Sequence, residues 1–206
     1  MHDYSIRGFS KINILYWLAV ISVLVTPLIS NKLTPIFVKI STKTGIAEIA
    51  SLSVSSFLIF SVLWFLFAKL IWKIPLVTKI LNVPDLSGEW KCEGIGKKYD
   101  DATINNQWDG MVVIEQTLDK ILISTKTSKS TSHSTSVFGD LEKRNANEYV
   151  LTYMYENEPF VQEDGLHRHT GFCRLVFNIK DKTVLGNYYT DTDRGSYGTM
   201  KLTKQE

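Results

Sequence analysis

Three tyrosines in the second half of the chain offer flat aromatic surfaces. Tyr153 and Tyr155 are two residues apart, so on a β-strand they point to the same side, and Tyr189 follows in a later strand-like segment. Rings of this kind can stack on nucleobases. Aromatic residues are also common in strands for packing alone, so the pattern leaves a core role open as well.

Two arginines carry the positive charge that a phosphate group needs. Arg174 and Arg194 are best placed by their spacing to form charge-assisted hydrogen bonds with phosphate oxygens. If Arg174 points into the fold, it needs an anionic partner, because a buried unpaired charge is costly. Arg194 lies in a predicted turn, where it could equally pair with Asp191 or Asp193.

A run of serines and threonines between residues 124 and 136 adds hydroxyl groups. This low-complexity segment predicts a hairpin with two polar faces. Its hydroxyls could line the wall of a polar ligand site, or they could simply be solvated. The candidate ligand-binding residues are therefore Lys126, Ser136, Tyr153, Tyr155, Arg174, Tyr189 and Arg194.

The sequence offers no set of residues suited to catalysis. It lacks the phosphate-binding, dinucleotide-binding, nucleophile-elbow and zinc-protease patterns, and no paired general acid and base can be identified. His167, His169 and Cys173 share one face of a predicted strand, but the further ligands that zinc requires cannot be placed. We therefore predict that the protein is not an enzyme and uses no metal and no cofactor.

Short segments rich in β-branched and aromatic residues begin after Pro84, and turn signals separate them. No amphipathic helix interrupts the series, which predicts an all-β, eight-stranded antiparallel up-and-down β-barrel. Trp90 and Cys92 are expected to point inward. Such a barrel can be packed solid or can hold one small ligand. The predicted strands are 87–93, 109–117, 120–128, 133–142, 147–156, 167–179, 183–190 and 196–203.

The N-terminal part of the chain contains two long apolar segments. Residues 12–29 and 49–68 carry no charge, and they predict an α-helical membrane hairpin of two transmembrane helices. Ala47, Ser51 and Ser55 fall four residues apart at the second segment, and small residues at this spacing let helices approach closely. They predict either an oligomerisation face or packing against the first helix of the same chain.

The distribution of charge divides the chain in the same way. Residues 1–83 carry 8 basic and 2 acidic residues, a net charge of +6, whereas residues 84–206 carry 15 and 19, a net charge of −4. We predict a membrane region at 1–83 and a cytoplasmic ligand-binding barrel at 84–206, with the N-terminus also cytoplasmic. The acidic barrel argues against binding to long nucleic acids, and it requires a local cluster of cations for any anionic ligand.

The order of these elements resembles a known family. Residues 86–90 (LSGEW) are similar to the G-x-W opening strand of lipocalin-like barrels. Together with the two apolar segments and with residues 186–189 (GNYY) and 198–202 (GTMKL), they resemble the two-transmembrane β-barrel effectors of CBASS bacterial antiphage systems.

This resemblance implies a function without catalysis by the chain itself. A partner CD-NTase would make a cyclic dinucleotide, and the barrel would bind it as an activating ligand. Binding would drive homo-oligomerisation in the bacterial inner membrane, disruption of its lipid and abortive infection. Two other classes stay open: a membrane-tethered, lipocalin-like carrier of an apolar small molecule, which predicts an apolar cavity without arginine, and a scaffold with a solid barrel.

Overall fold

The computed structural model describes residues 1–45, 54–101, 106–128, 133–158, 168–180 and 183–205. The chain forms two compact units, one made of Ser10–Ile74 and the other of Met1–Phe9 together with Pro75–Glu206. This division differs from the boundary that we placed at residue 84. The first nine residues and the short helix α3 (Pro75–Leu81) group with the barrel rather than with the apolar helices.

The smaller unit is helical. Helix α1 (Ile12–Thr44) ends at Gly45, which adopts the left-handed conformation with φ of 73°. Helix α2 (Ser56–Lys69) is followed by a 3₁₀ turn (Ile71–Lys73). Two stretches, Ile12–Thr44 and Ser56–Lys73, are helical, long enough and apolar enough to cross a bilayer. Both predicted spans therefore overlap helical segments, although their bounds differ and residues 49–53 of the second span lie outside the described residues.

The first helix is longer than the predicted span of 12–29. It continues through Pro27 and Pro35, and at ~1.5 Å per residue it is about 50 Å long, which exceeds the ~30 Å apolar thickness of a bilayer. A proline in an apolar helix removes one backbone hydrogen bond without ending the helix. Two hydroxyl contacts join the helices. Thr26 Oγ1 donates to Ser56 Oγ at 3.0 Å, and Ser30 Oγ donates to the Val54 carbonyl at 3.4 Å.

The larger unit is a closed antiparallel barrel, as predicted. Each strand pairs with the next along the chain, and the last pairs with the first, so the connectivity is an up-and-down meander. All eight predicted barrel strands are present. The end of the first moves by five residues, from 93 to 98, and every other strand end moves by at most three. They are β3 (Gly88–Lys98), β4 (Asn106–Gln116), β5 (Lys120–Thr127), β6 (His133–Lys143), β7 (Glu148–Glu158), β8 (His169–Asn178), β9 (Thr183–Thr190) and β10 (Ser196–Lys204).

Alternation of side chains fills one half of the barrel interior with apolar groups. Trp90 and Cys92 point inward as predicted, with 5% and 0% of their surface exposed. The Trp90 ring meets Phe177 edge to face at 5.5 Å between centroids, and its Nε1 donates to the Leu86 carbonyl at 3.2 Å. We call this end, where β3 begins and β10 ends, the base, and the opposite end the mouth.

Two strands of two residues each precede the helices. They are β1 (His2–Asp3) and β2 (Ser5–Ile6), and we call residues 2–7 together the N-terminal strap. The first pairs antiparallel with β5, and the second pairs in parallel with β6. The strap therefore lies between two strands that are neighbours in the barrel, a placement that the sequence did not predict.

Candidate ligand site at the barrel mouth

Aromatic rings inside the mouth lie over glycines of neighbouring strands. A Cβ atom added to Gly94 would lie 2.2 Å from Trp108, and one added to Gly171 would lie 2.3 Å from Tyr155. Both glycines sit directly opposite the aromatic residue in the strand ladder. The close approach of ring and backbone is possible only because these positions lack a side chain, so the glycines set where the rings lie.

A third ring completes the aromatic lining. Tyr188 lies over Gly198, and its hydroxyl accepts a hydrogen bond of 3.2 Å from Trp108 Nε1. The Trp108 and Tyr188 rings meet edge to face with centroids 5.8 Å apart. Three flat surfaces, from Trp108, Tyr155 and Tyr188, therefore line one end of the barrel.

Small polar side chains lie nearer the rim of the mouth than these rings. Ser134 Oγ donates to Asn157 Oδ1 at 2.9 Å, and Asn157 is only 5% exposed. On the other side of the mouth, Thr190 Oγ1 donates to the Ser196 carbonyl at 2.9 Å and accepts from the Ser196 N–H at 2.8 Å. Hydroxyl and amide groups of this kind can hydrogen-bond to the polar edges of a small ligand.

The turn between β9 and β10 holds a cation at the mouth. The Asp191 carboxylate accepts hydrogen bonds from the Thr170 N–H at 2.6 Å and from the Arg194 backbone N–H at 3.2 Å. Slight burial alone would raise the pKa of Asp191, but these N–H groups stabilise the carboxylate and lower that pKa below its usual value. Asp191 therefore shapes the turn through backbone groups, and it does not form a salt bridge with the Arg194 guanidinium.

The Arg194 guanidinium has no hydrogen-bond or ion-pair partner among the residues that the structure describes. Its charge acts on two of the rings. Burial raises the pKa of the Tyr155 and Tyr188 hydroxyls, and the positive charge of Arg194 opposes that rise at both. A cation that has no partner among the described residues and an aromatic lining thus belong to the same end of the barrel, which is a combination suited to a ligand with rings and phosphates.

Three of the seven candidate ligand residues belong to this end of the barrel. Tyr155 is part of the aromatic lining, and Arg194 is the mouth cation. Tyr153 also points inward, but it lies one step deeper, with its ring centroid 6.3 Å from that of Tyr155 and 3% of its surface exposed. Burial raises the pKa of the Tyr153 hydroxyl well above its usual range.

The third candidate that points inward has a different role. Ser136 is 3% exposed, and its hydroxyl accepts the Ile123 N–H at 2.9 Å and contacts His2 Nε2 at 2.8 Å. These partners belong to the barrel wall and to the N-terminal strap. Ser136 is therefore occupied in holding the wall together, and we remove it from the candidate site.

The other three candidates lie on the outer wall, because their strand positions alternate away from the interior. Lys126 is exposed, Tyr189 is 51% exposed, and Arg174 is half-buried beside Asn187. The sequence did not decide whether Arg174 points into the barrel or outward, because both faces of β8 carry apolar residues. The structure places Cys173 inward and Arg174 outward, so this arginine is not a mouth residue.

Arg174 instead borders a groove of about 790 Å³ on the outer wall. The groove also has Lys201 as a cation, and Glu93 and Asp109 as acids, together with apolar residues such as Leu185. Opposite charges line it in similar number. It is therefore a less suitable site for an anionic ligand than the mouth, where Arg194 has no partner within the described part of the chain.

The sequence analysis missed four residues of the mouth, namely Trp108, Asn157, Tyr188 and Thr190. Two of them were within reach of the same reasoning. Asn157 follows Tyr155 by two residues, and Thr190 follows Tyr188 by two, so strand alternation puts each pair on one side. The sequence-based prediction placed Tyr189 in the site and left out Tyr188, whereas in the structure Tyr188 points inward and Tyr189 points outward.

The predicted oligomerisation face is only partly described. Ala47 and Ser51 lie outside the described residues. Ser55 is the N-cap of α2, in an extended conformation, and its hydroxyl accepts the Leu58 N–H at 3.2 Å. It therefore stands directly before the first helical residue of α2, and the oligomerisation face stays a prediction.

Comparison with known proteins agrees with this architecture. The family model described as "Cap15, cyclic dinucleotide receptor domain" matches residues 81–204, which span the barrel. The chain is also similar to CD-NTase-associated protein 15 of Yersinia aleksiciae, with 35% identity over 140 residues. That alignment covers 68% of this chain and 64% of the relative, so the chain spans slightly less than two thirds of the relative's length. The resemblance to two-transmembrane β-barrel effectors is thereby confirmed.

Proposed function

The chain belongs to the Cap15 cyclic dinucleotide receptor domain family, and we propose that its barrel binds a cyclic dinucleotide at the mouth. The observation that carries the proposal is the Arg194 guanidinium, which has no partner among the described residues and whose positive charge acts on the hydroxyls of Tyr155 and Tyr188. In this proposal the chain acts as a receptor and not as an enzyme.

Each part of such a ligand has a matching group at the mouth. The rings of Trp108, Tyr155 and Tyr188 offer faces on which nucleobases can stack, at about 1–3 kcal/mol per base. The guanidinium of Arg194 can bind a phosphodiester through charge-assisted hydrogen bonds. Asn157 offers an amide to the base edges. A ligand with two bases and two phosphates would use all of these groups together.

The same geometry disfavours the apolar carrier. The apolar half of the interior is filled by its own side chains, with Phe177 2% exposed and Leu175 and Leu202 fully buried. The remaining half is lined by hydroxyls, an amide and phenols, to which an apolar ligand could offer no hydrogen bonds of its own. The net charge of −4 on residues 84–206 repels a dianion at long range, so the local cation must supply the attraction.

The consequences of binding extend the proposal to the membrane. In the CBASS reading, a partner CD-NTase makes the messenger, and the occupied barrels assemble through the apolar helices in the bacterial inner membrane. Assembly disrupts the bilayer, and the infected cell stops growing or dies. The two apolar helical segments support a membrane location. In this proposal the barrel lies on the cytoplasmic side. A ligand drives this assembly only if it binds the assembled form more tightly.

The binding proposal is tested by calorimetric titration of the full chain in lipid nanodiscs with cyclic di-AMP, cyclic di-GMP and cyclic GMP-AMP. We expect one messenger to bind tightly with one site per barrel, and the others weakly. Absence of binding by all three, with circular dichroism showing folded protein, would refute the proposal and favour the carrier. Lipid extraction followed by mass spectrometry would then identify what the barrel holds.

The membrane proposal has a separate test. The full chain is placed in dye-filled vesicles of bacterial lipid. Dye leakage is followed after addition of the cyclic dinucleotide that binds in calorimetry. We expect leakage with the cognate messenger and none with a cyclic dinucleotide that does not bind. Tight binding without leakage, and without crosslinked oligomers, would separate the receptor function from membrane disruption.

A further inference from the structure

The barrel is closed least extensively between β5 and β6. These strands share three ladder pairs, between Ser124–Lys126 and His133–Thr135. Every other pair of neighbouring barrel strands shares seven or more pairs among the described residues. The three pairs lie at the mouth end, and β5 and β6 separate towards the base.

The N-terminal strap fills the gap that this separation leaves. His2 pairs with Ile121 of β5, and Ile6 pairs with Leu141 of β6. The strap ends at Arg7. Its N–H donates to the Leu141 carbonyl at 2.9 Å, and its guanidinium contacts the Asp140 carboxylate at 2.7 Å. Backbone groups of β5 and β6 that face the gap are therefore paired with the strap.

A single hydroxyl marks the point where the two closures meet. The ladder between β6 and β7 is irregular between Ser136 and Phe138. Ser136 Oγ accepts the Ile123 N–H from β5 and contacts His2 Nε2 from the strap. The Ser136 hydroxyl therefore connects the β5–β6 ladder at the mouth with the strap, which lies nearer the base.

The base holds both chain segments that lead to the apolar helices. Gln116 is 4% exposed, and its Nε2 donates to Tyr4 Oη at 2.9 Å and to the Pro84 carbonyl at 3.2 Å. Its Oε1 accepts the Leu86 N–H at 2.7 Å. One buried amide therefore fixes the strap and the chain that follows the second apolar helix. Along the sequence, only residues 8–11 separate Arg7 from the start of α1.

We propose that docking of the N-terminal strap and ligand binding at the mouth are thermodynamically coupled, so that the strap passes the ligand state to the start of α1. The ligand part rests on the function proposed above. Ser134 belongs both to the three-pair ladder and to the polar wall of the mouth, where it bonds Asn157. A ligand held there and a strap docked below both favour joined β5 and β6, so each increases the affinity of the other.

The test uses the full chain in nanodiscs and two strap variants. Tyr4→Ala removes the strap's hydrogen bond with Gln116. Arg7→Ala removes the ion pair with Asp140, and because the Arg7 side chain is 61% exposed, this substitution does not disturb the core. Arg144→Ala is the matched control, because it removes a surface ion pair of 3.3 Å with Glu148 at the end of the same strand β6.

Two readouts are measured for each variant. The first is messenger affinity by calorimetry. The second is the labelling rate of Cys92 and Cys173, both buried inside the barrel, by a thiol reagent. We expect Tyr4→Ala to weaken messenger binding by about fivefold or more, the lower end of typical couplings, and to raise the labelling rate. Arg7→Ala should act in the same direction with a smaller effect, and Arg144→Ala should change neither.

The outcomes separate this inference from the proposed function. If wild-type protein binds no cyclic dinucleotide, the proposed function fails and the coupling fails with it. If wild type binds and both strap variants keep wild-type affinity while their thiols label faster, the coupling alone is overturned. If Tyr4→Ala does not fold, Arg7→Ala decides, because its side chain lies at the surface.

Discussion

Replacing the mouth cation is the sharpest test of where the ligand binds. We expect Arg194→Gln to weaken binding of the cognate cyclic dinucleotide by about 10- to 150-fold, since a hydrogen bond to a charged group contributes about 1.5–3 kcal/mol and ~1.4 kcal/mol is tenfold in affinity. The free guanidinium has no partner among the described residues, so no existing ion pair has to break before it meets a phosphate. The full value is therefore available to the ligand.

Arg174→Gln is the matched control. Both substitutions remove one positive charge from the same barrel, so both change the long-range attraction for an anion alike. They differ in place, because Arg194 stands at the mouth and Arg174 borders the outer groove. We expect Arg174→Gln to change affinity by less than threefold at near-physiological salt, where charges more than ~8 Å apart are largely screened.

The assay is calorimetric titration of both variants in nanodiscs at one fixed ionic strength. A larger loss in Arg174→Gln than in Arg194→Gln would refute the mouth as the site and place the ligand in the outer groove. Equal and small losses in both would show that neither arginine meets a phosphate, and the argument from charge would then be wrong.

Two further predictions concern the mouth glycines and the buried thiols. Gly171→Ala is expected to weaken messenger binding, because the added Cβ would lie 2.3 Å from Tyr155 and would displace its ring. Gly139→Ala serves as the control, because its added Cβ meets no atom closer than 3.5 Å. Equal affinities of the two variants by calorimetry would show that Tyr155 is not part of the site. Burial raises the pKa of Cys92 and Cys173 to about 12, so the thiols of the unfolded chain ionise at lower pH than those of the folded chain. The free energy of unfolding is therefore expected to fall as pH rises from about 9 towards 12, by up to about 1.4 kcal/mol per pH unit for each thiol. Chemical denaturation across this range should show a shallower fall when both cysteines are replaced by alanine, and an unchanged slope would contradict the prediction.

Local alternation was enough to predict the barrel but not the bounds of the helices. Turn signals between strands fix where each strand ends, and a period of two places Trp90 and Cys92 inside. The first helix continues to Thr44 because nothing in its sequence ends it before Gly45. The absence of charge in 12–29 defines the most apolar part of a helix, and it does not define the whole helix.

The candidate site was harder to predict, because residue type alone does not tell which wall of a strand a side chain occupies. Both faces of β8 carry apolar residues, so the sequence could not orient Arg174. The mouth rings depend on glycines that lie opposite them on other strands, such as Gly171 opposite Tyr155. That pairing follows from the register of the closed barrel, which no single segment specifies.

The strap shows why composition places a domain boundary poorly when a distant segment completes a sheet. Residues 2–7 carry no strand periodicity, since each of their two strands is two residues long, and their partners lie more than 110 residues away along the chain. A soluble fragment that begins at Pro84 would lack the strap. Backbone groups of β5 and β6 towards the base would then lose their partners and form exposed strand edges, which invite association with other chains. We therefore expect such a fragment to be less stable than the barrel of the full chain, and its affinity for the messenger reports only the uncoupled mouth. The fragment also lacks the apolar helices, so its affinity differs from that of the full chain by the coupling together with the contribution of assembly, and Tyr4→Ala in the full chain isolates the coupling.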